Sequence, residues 1–392
     1  MKKYTFFLLV IVIASCTGGN KKEQLNTDVK TIKIDWNNIS DAMDYSPMVE
    51  DSVLMFPLET TDDCLIGEVT KLIYQNNLIY IADNTSRSIF VFDMSGKLKT
   101  KIHANGNGPG EYTEIWYFTV HGTDIIVYDI NIGKLLFYDA SGKFVRDIDT
   151  SKIWGTDLFC IGDKIYLPND GSSSESGYYN LFTIDLNNSN KIEKYLPFDE
   201  PQNNQGWSIY SYYAQLGNEA LLCFCPFDEL YTVNDKEVYL SYKIDFGDRR
   251  LPKQYIEGDG TTALRTAIRD NYITGLKRVR QSQKYILLQF NDYMTLYNKE
   301  TGEMQTTKDL RNSLLGNLLL QPNGDRFTIQ DEKIIQYYEA DSWSYSGIAE
   351  QLKSSDTHFY TEELRQKFLK LATTDGSDSN PIILIQRLKS NS

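Results

Sequence analysis

Residues 78–102 read L-I-Y-I-A-D-N-T-S-R-S-I-F-V-F-D-M-S-G-K-L-K-T-K-I, and residues 124–148 read D-I-I-V-Y-D-I-N-I-G-K-L-L-F-Y-D-A-S-G-K-F-V-R-D-I. Laid over one another without a gap, Asp83 meets Asp129 and Asp93 meets Asp139, while Ser95-Gly96-Lys97 meets Ser141-Gly142-Lys143. The offset of about 46 residues falls within the span typical of propeller blades. Each copy reads as a strand, an Asx-type turn, a strand closed by Asp, a hairpin turn at Ser-Gly-Lys, and a strand. The hairpin glycine supplies the positive φ that a tight turn needs. Val, Ile, Phe and Tyr fill the strands, the residue types that suit a pleated, half-buried surface. The pattern predicts an all-β fold, a six-bladed β-propeller of four-stranded antiparallel blades.

Weaker copies extend the count. Residues 165–167 with 181–185 make a third unit with a longer polar loop. A fourth runs over 220–224, 229–233 and 239–246, and a fifth over 285–290 and 294–297 with a turn at 300–302. A sixth begins at 326–329 and 334–338 and is completed by 381–388. Two segments break the strand rhythm. Residues 261–270 read as a short helix on a loop. Residues 361–371 read as a helix on the rim, with Thr361 as N-cap, Glu362 and Glu363 in the first turn, and Leu364, Phe368 and Leu371 on one face. Closing the ring needs one more strand from either end of the chain. Residues 31–36 and 382–388 are the two candidates, and their pairing stays open.

The N-terminus carries a different message. Lys2 and Lys3 precede an unbroken apolar stretch over 6–14, too short for the ~20 residues that cross a bilayer as a helix. It ends Ile13-Ala14-Ser15-Cys16, which resembles the bacterial lipobox and implies cleavage before a lipid-modified Cys16. Residues 1–15 are therefore expected to be a lipoprotein signal peptide, 16–30 a flexible polar tether, and 31–392 the propeller. The membrane partner would be reached through the lipid on Cys16, and stable anchoring takes more than one acyl chain. Residues 17–25 lack an acidic run resembling a surface-export signal, which favours the periplasmic side of the outer membrane.

Composition narrows function. With 53 Asp and Glu against 40 Lys and Arg, no basic stripe offers a nucleic-acid backbone its counter-charge. Cys64, Cys160, Cys223 and Cys225 are read as buried thiols. Cys223 and Cys225 share one face of a strand, a geometry that disfavours bridging. The three histidines, His103, His121 and His358, show no metal-ligand spacing, so no metal and no cofactor are expected. The four repeated aspartates are read as turn caps rather than a carboxylate site. Residues 106–112 (G-N-G-P-G-E-Y) lack the Lys-Ser/Thr and helix of a phosphate loop and are read as an inter-blade turn.

Together with these blades, the glycine-rich segment, residues 242–247 (Y-K-I-D-F-G), Leu251-Pro252 and residues 380–383 (N-P-I-I) resemble the six-bladed β-propeller lipoproteins of Bacteroides and relatives, akin to NHL-repeat propellers. The resemblance implies the fold and the envelope location, and no reaction. Candidate ligand-binding residues are Trp207, Tyr210, Tyr212, Tyr213 and Trp116, because flat aromatic faces suit sugars and protein hot spots. The expected function is a lipid-anchored binding or scaffold module for a glycan, a peptide or an envelope protein. The alternative is a carboxylate-based hydrolase or lyase with its site in the central channel.

Overall fold

In the computed structural model the described residues are 28–169, 171–172, 174–198, 210–256, 260–320, 326–339, 358–373 and 379–389. Within them six four-stranded antiparallel blades form, and in the first, second, fourth and fifth the successive strands are joined by turns too short to cross over. The first blade is Val69–Gln75, Leu78–Asp83, Ser88–Asp93 and Leu98–Ile102. The second is Tyr117–His121, Asp124–Asp129, Lys134–Tyr138 and Phe144–Asp149. The third is Phe159–Ile161, Lys164–Pro168, Tyr179–Asp185 and Asn188–Pro197. The fourth is Tyr210–Leu216, Glu219–Cys225, Glu229–Asn234 and Val238–Asp245. The fifth is Arg278–Gln281, Tyr285–Phe290, Tyr293–Asn298 and Met304–Asn312. The sixth takes Phe327–Gln330, Lys333–Tyr338 and Ile382–Leu388, then closes with Val49–Pro57 from the other end of the chain. The first strand of every blade is innermost, and these inner strands line up side by side around the axis.

The sequence repeat therefore corresponds to the second, third and fourth strands of a blade. Ring closure differs from both candidates. Ile382–Leu388 is the third strand of the last blade, and the closing strand is Val49–Pro57, paired antiparallel with it. Lys30–Lys33 instead runs parallel to Val238–Asp245 on the outer edge of the fourth blade, and Ile39–Asp44 runs parallel to Met304–Asn312 on the fifth. The N-terminal chain thus covers two edge strands before it closes a third, which removes exposed edges that would otherwise template pairing.

Apolar burial is divided among wedges between neighbouring blades rather than gathered in one core. Ile79, Ile81, Phe90 and Phe92 face the sixth blade, whereas Tyr80, Ala82, Ile89 and Val91 face the second. Period-2 alternation sends successive side chains to opposite wedges, and both wedges are dry. That is why Ile79, Tyr80, Ile81, Ala82 and Asp83 are all buried, and why the strands read as continuous apolar runs. Each fully buried Phe or Ile in these wedges contributes roughly 1.5–3 kcal/mol relative to exposure.

The two predicted helices form, at Gly260–Arg269 and Glu362–Thr373. Thr361 Oγ1 accepts the Leu364 amide at 3.1 Å, as an N-cap does. Phe368 is fully buried against Met55, Tyr338 and Leu384 of the sixth blade, with Leu364 beside it. Among the described residues, no helix is long and apolar enough to cross a membrane.

Candidate functional site

The repeated aspartates do two different jobs. Asp93 and Asp139 are hairpin caps: Asp93 accepts from the Ser95 amide at 2.9 Å and hydroxyl at 2.6 Å, and Asp139 accepts from Ser141 at the same two distances. The serine hydroxyl and turn amides hold both carboxyls below the ordinary range. Asp83 and Asp129 are fully buried at the opposite end of the blade. Asp83 accepts from Gly67 and Glu68, just before the inner strand, and from Thr85 and Ser86 after its own strand. Asp129 repeats this with Thr113, Glu114 and Asn131. Asn169, also fully buried, holds the corresponding place in the third blade, bonded to Ser172 and Tyr179. Asp83 and Asp129 pin the chain as it turns inward toward the axis, and Asn169 holds the loop that follows its own strand.

The disc has unlike faces. On one, tight turns join first to second and third to fourth strands, such as Asn76 and Asn77 or residues 94–97. On the other lie the long connections between blades, including residues 58–68, 103–116, 150–158 and 246–277. Eight large apolar side chains are exposed among the described residues: Leu54, Leu65, Trp116, Val145, Trp154, Tyr178, Leu264 and Ile268. Leu54 and Val145 sit on outermost strands; the other six belong to connections on the loop face, and none to the turn face. The glycine-rich segment is one such connection. It is closed by Gly106 N–H to Tyr112 O at 3.0 Å and Gly108 N–H to Glu111 Oε2 at 2.7 Å. It is an inter-blade turn, as its sequence indicates.

At the loop-face end of the channel, Lys71 reaches across from the first blade. Its Nζ donates to Asp157 Oδ1 at 2.8 Å, just before the third inner strand, and to the Tyr213 hydroxyl at 3.2 Å on the fourth. It lies 5.3 Å from the Tyr213 ring and 6.0 Å from that of Phe118 on the second blade. Burial opposes the ammonium charge, but Asp157 and Tyr213 more than offset it, so the lysine pKa stands above its ordinary value. Tyr213 donates onward to Leu158 O at 3.1 Å, and its ring stacks on Phe159. Burial pushes its phenol up to about 12, with Lys71 acting in the opposite sense.

Across the ring the fifth inner strand contributes two arginines. Arg278 lies 4.4 Å over the Tyr212 ring and donates to Lys277 O. Arg280 is buried, 3.7 Å over Phe327 of the sixth blade, and donates to Phe327 O at 3.2 Å. Arg326, immediately before the sixth inner strand, pairs with Glu339 at 2.8 Å. The six inner strands together carry Lys71, Arg278 and Arg280 and no Asp or Glu. In a chain of net charge −13, the charged residues on the inner strands themselves are all basic. Asp157, at the channel edge, is tied to Lys71, so the inner strands supply no carboxylate pair.

The sequence-selected aromatics land in different places. Trp207 lies outside the described residues, as does Cys16. Tyr210 begins the fourth inner strand. Tyr212 and Tyr213 are neighbours on that strand and so point into opposite wedges, Tyr212 toward the fifth blade and Tyr213 toward the third. Trp116 stands half-exposed on the loop face. Lys71, Arg278, Arg280 and Trp154 were not singled out. The Arg-Val-Arg spacing of 278–280, which places both guanidiniums on one side of a strand, was the available signal.

A family model described as a domain of unknown function (DUF4934) matches residues 30–387. The chain belongs to that family. No curated protein matches it. A solved structure of a Bacteroides fragilis protein, described as exported, is similar at 18% identity, covering 92% of this chain and 100% of that one with a TM-score of 0.68. At that identity the likeness shows the shared fold. A Bacteroides vulgatus member of the DUF4221 family is 12% identical over 88% of this chain and 100% of its own, with a TM-score of 0.48, too low to carry an argument.

Proposed function

We propose that this member of the family is a lipid-anchored binding module of the cell envelope that presents its loop face to a ligand or partner. The observation that carries the reading is the one-sided distribution of exposed apolar side chains, six on the loop face and none on the turn face among the described residues. Exposed apolar surface is what an interaction face displays, and the six side chains, drawn from five different connections, all lie on one face. The lipobox ending in Cys16 supports the anchor, and the description of the Bacteroides fragilis neighbour as exported agrees with it. Lys30–Lys33 runs parallel to an outermost strand, so the chain comes onto the rim from the turn-face side. A tether arriving there would direct the loop face away from the membrane, at up to ~50 Å reach if extended. The outer membrane, periplasmic side, is the location we favour, with a glycan, peptide or envelope protein as partner.

The test compares wild type with a loop-face variant, Trp116→Ala/Trp154→Ala, and a turn-face variant, Asn76→Ala/Asn187→Ala. The full chain, held in detergent micelles, is applied to arrays of oligosaccharides and peptides. Signals should fall in the loop-face variant and survive in the turn-face variant; the reverse pattern would refute the reading. For the anchor, Cys16→Ala should release the protein from membranes and abolish labelling by a fatty-acid probe. Continued membrane attachment with label would remove that part.

A further inference from the structure

The joint where the ring closes holds a buried polar network, and we infer that a single structural water molecule is bound within it, between Gln386 and Tyr360. The inference is independent of the loop-face reading. It rests on two polar atoms that the fold buries side by side and leaves without a hydrogen bond.

Four segments meet at this joint. Tyr45 belongs to the N-terminal chain, Asn312 ends the fifth blade, Gln336, Tyr338 and Gln386 belong to the sixth, and Tyr360 precedes the C-terminal helix. Tyr45, Asn312, Gln336, Tyr338 and Gln386 are each at most 2% exposed. Polar groups buried so deeply cost free energy unless they are paired. Their bonds run in one direction. Tyr338 donates to Gln336 Oε1 at 2.9 Å, Gln336 Nε2 to the Tyr45 hydroxyl at 3.3 Å, and Tyr45 to Gln386 Oε1 at 3.2 Å. Asn312 Oδ1 accepts the Leu314 amide at 2.9 Å, which fixes its Nδ2 as the donor to Gln386 Oε1 at 3.4 Å. With two donors on its oxygen, the Gln386 amide has one orientation, and its Nε2 lies on the other side.

That nitrogen is buried and makes no hydrogen bond, and the Tyr360 hydroxyl is buried and makes none either. The two are neighbours. Burial, with Asp51 and Asp44 in range, raises the Tyr360 phenol above its ordinary value, while Asn312 and Gln386 beside it act in the opposite sense. The backbone on both sides is fixed, since the Tyr360 amide donates to Leu314 O at 3.0 Å and Gln386 sits within the third strand of the blade. Two buried polar groups side by side that do not bond one another need a shared partner. Its chemistry follows from the surroundings. An ammonium-type cation has no lone pair for the Gln386 N–H. An anion would stand within range of Asp44 and Asp51. Water accepts from both groups and still has protons to offer to further acceptors, and buried waters typically make about three such bonds. The site exists only once the N-terminal chain, the last two blades and the segment before the helix have come together, so the water belongs to ring closure.

Two measurements on the full chain test this. A crystal structure at a resolution that shows ordered solvent should place one water within about 2.7–3.2 Å of both Gln386 Nε2 and the Tyr360 oxygen. Tyr360→Phe removes the hydroxyl alone and keeps the ring that packs beside Phe368. If that hydroxyl holds the water, urea denaturation should show the unfolding equilibrium constant raised about five-fold. A hydroxyl buried without any partner predicts the opposite sign, because deleting it relieves its desolvation and leaves the variant as stable as wild type or more so. Tyr178→Phe, at an exposed tyrosine, gives the baseline for losing a hydroxyl and should change little. The absence of a water shared by the two groups, whether or not they bond directly, would overturn the inference. So would a Tyr360→Phe variant at or above wild-type stability.

Discussion

Asp83→Ala tests the idea that a buried carboxylate fastens the inner strand to its blade in the first two blades. Five hydrogen bonds converge on Asp83: the Glu68 and Thr85 amides at 2.9 Å, the Ser86 hydroxyl at 2.7 Å, and the longer Gly67 and Ser86 amides at 3.2 and 3.3 Å. Bonds to an ionised acceptor contribute ~1.5–3 kcal/mol each in favourable cases, but they do not add, because the variant is also relieved of the carboxylate's own desolvation. Counting about 1 kcal/mol for each of the three short bonds puts the loss at about 3 kcal/mol. For a domain of roughly 360 residues at ~2.1 cal/mol/K per residue, that lowers Tm by about 4 °C. Asp83→Asn keeps one acceptor and should lose about half as much. Urea denaturation and calorimetry read the total. Hydrogen exchange at residues 67, 68, 85 and 86 shows whether the loss is local to the clasp. Asp93→Ala, which removes only an exposed hairpin cap, is the control and should cost less. A loss under about 0.5 kcal/mol for Asp83→Ala, or unchanged protection of those four amides, would refute the clasp.

Asp157→Ala should destabilise by about 2 kcal/mol by leaving the half-buried Lys71 ammonium without its anion, and adding Lys71→Met should recover most of it, with the coupling read from a double-mutant cycle. Gly110→Ala should cost about 2–3 kcal/mol in urea denaturation, since its φ is +77° and a Cβ would stand 2.4 Å from Phe144 Cγ. Alkaline pH should unfold the protein. Burial pushes the phenols of Tyr112, Tyr212 and Tyr213 up to about 12. The unfolded chain releases those protons near ~10, so stability falls as pH rises from there toward 12, and phenolate absorbance should rise together with loss of structure. Phe368→Ala, at a fully buried site, should cost about 3–4 kcal/mol by calorimetry and expose the C-terminal helix to proteolysis.

Much of this architecture is local chemistry written in order. Strands 78–83, 88–93 and 98–102 recur as 124–129, 134–138 and 144–149 because the same turns demand the same Asp, Ser and Gly. The helix after Thr361 is likewise announced by its cap and first-turn acids. Inner strands were less legible. Val69–Gln75, Tyr210–Leu216 and Arg278–Gln281 meet different neighbours around the axis, so they share no common pattern, and Tyr210–Leu216 was read as an aromatic surface instead. Ring closure by Val49–Pro57 was equally hidden, since partners more than 300 residues apart in the chain leave no local trace. The candidate site belongs to this second category. Lys71, Asp157, Tyr213 and Arg278 come from four different blades, and only the circular arrangement brings them to the same end of the channel. Sequence alone determined the blade, because a blade is a run of short-range turns and alternating strands. The tertiary structure decided the channel, because its wall is assembled from single strands that never touch along the chain.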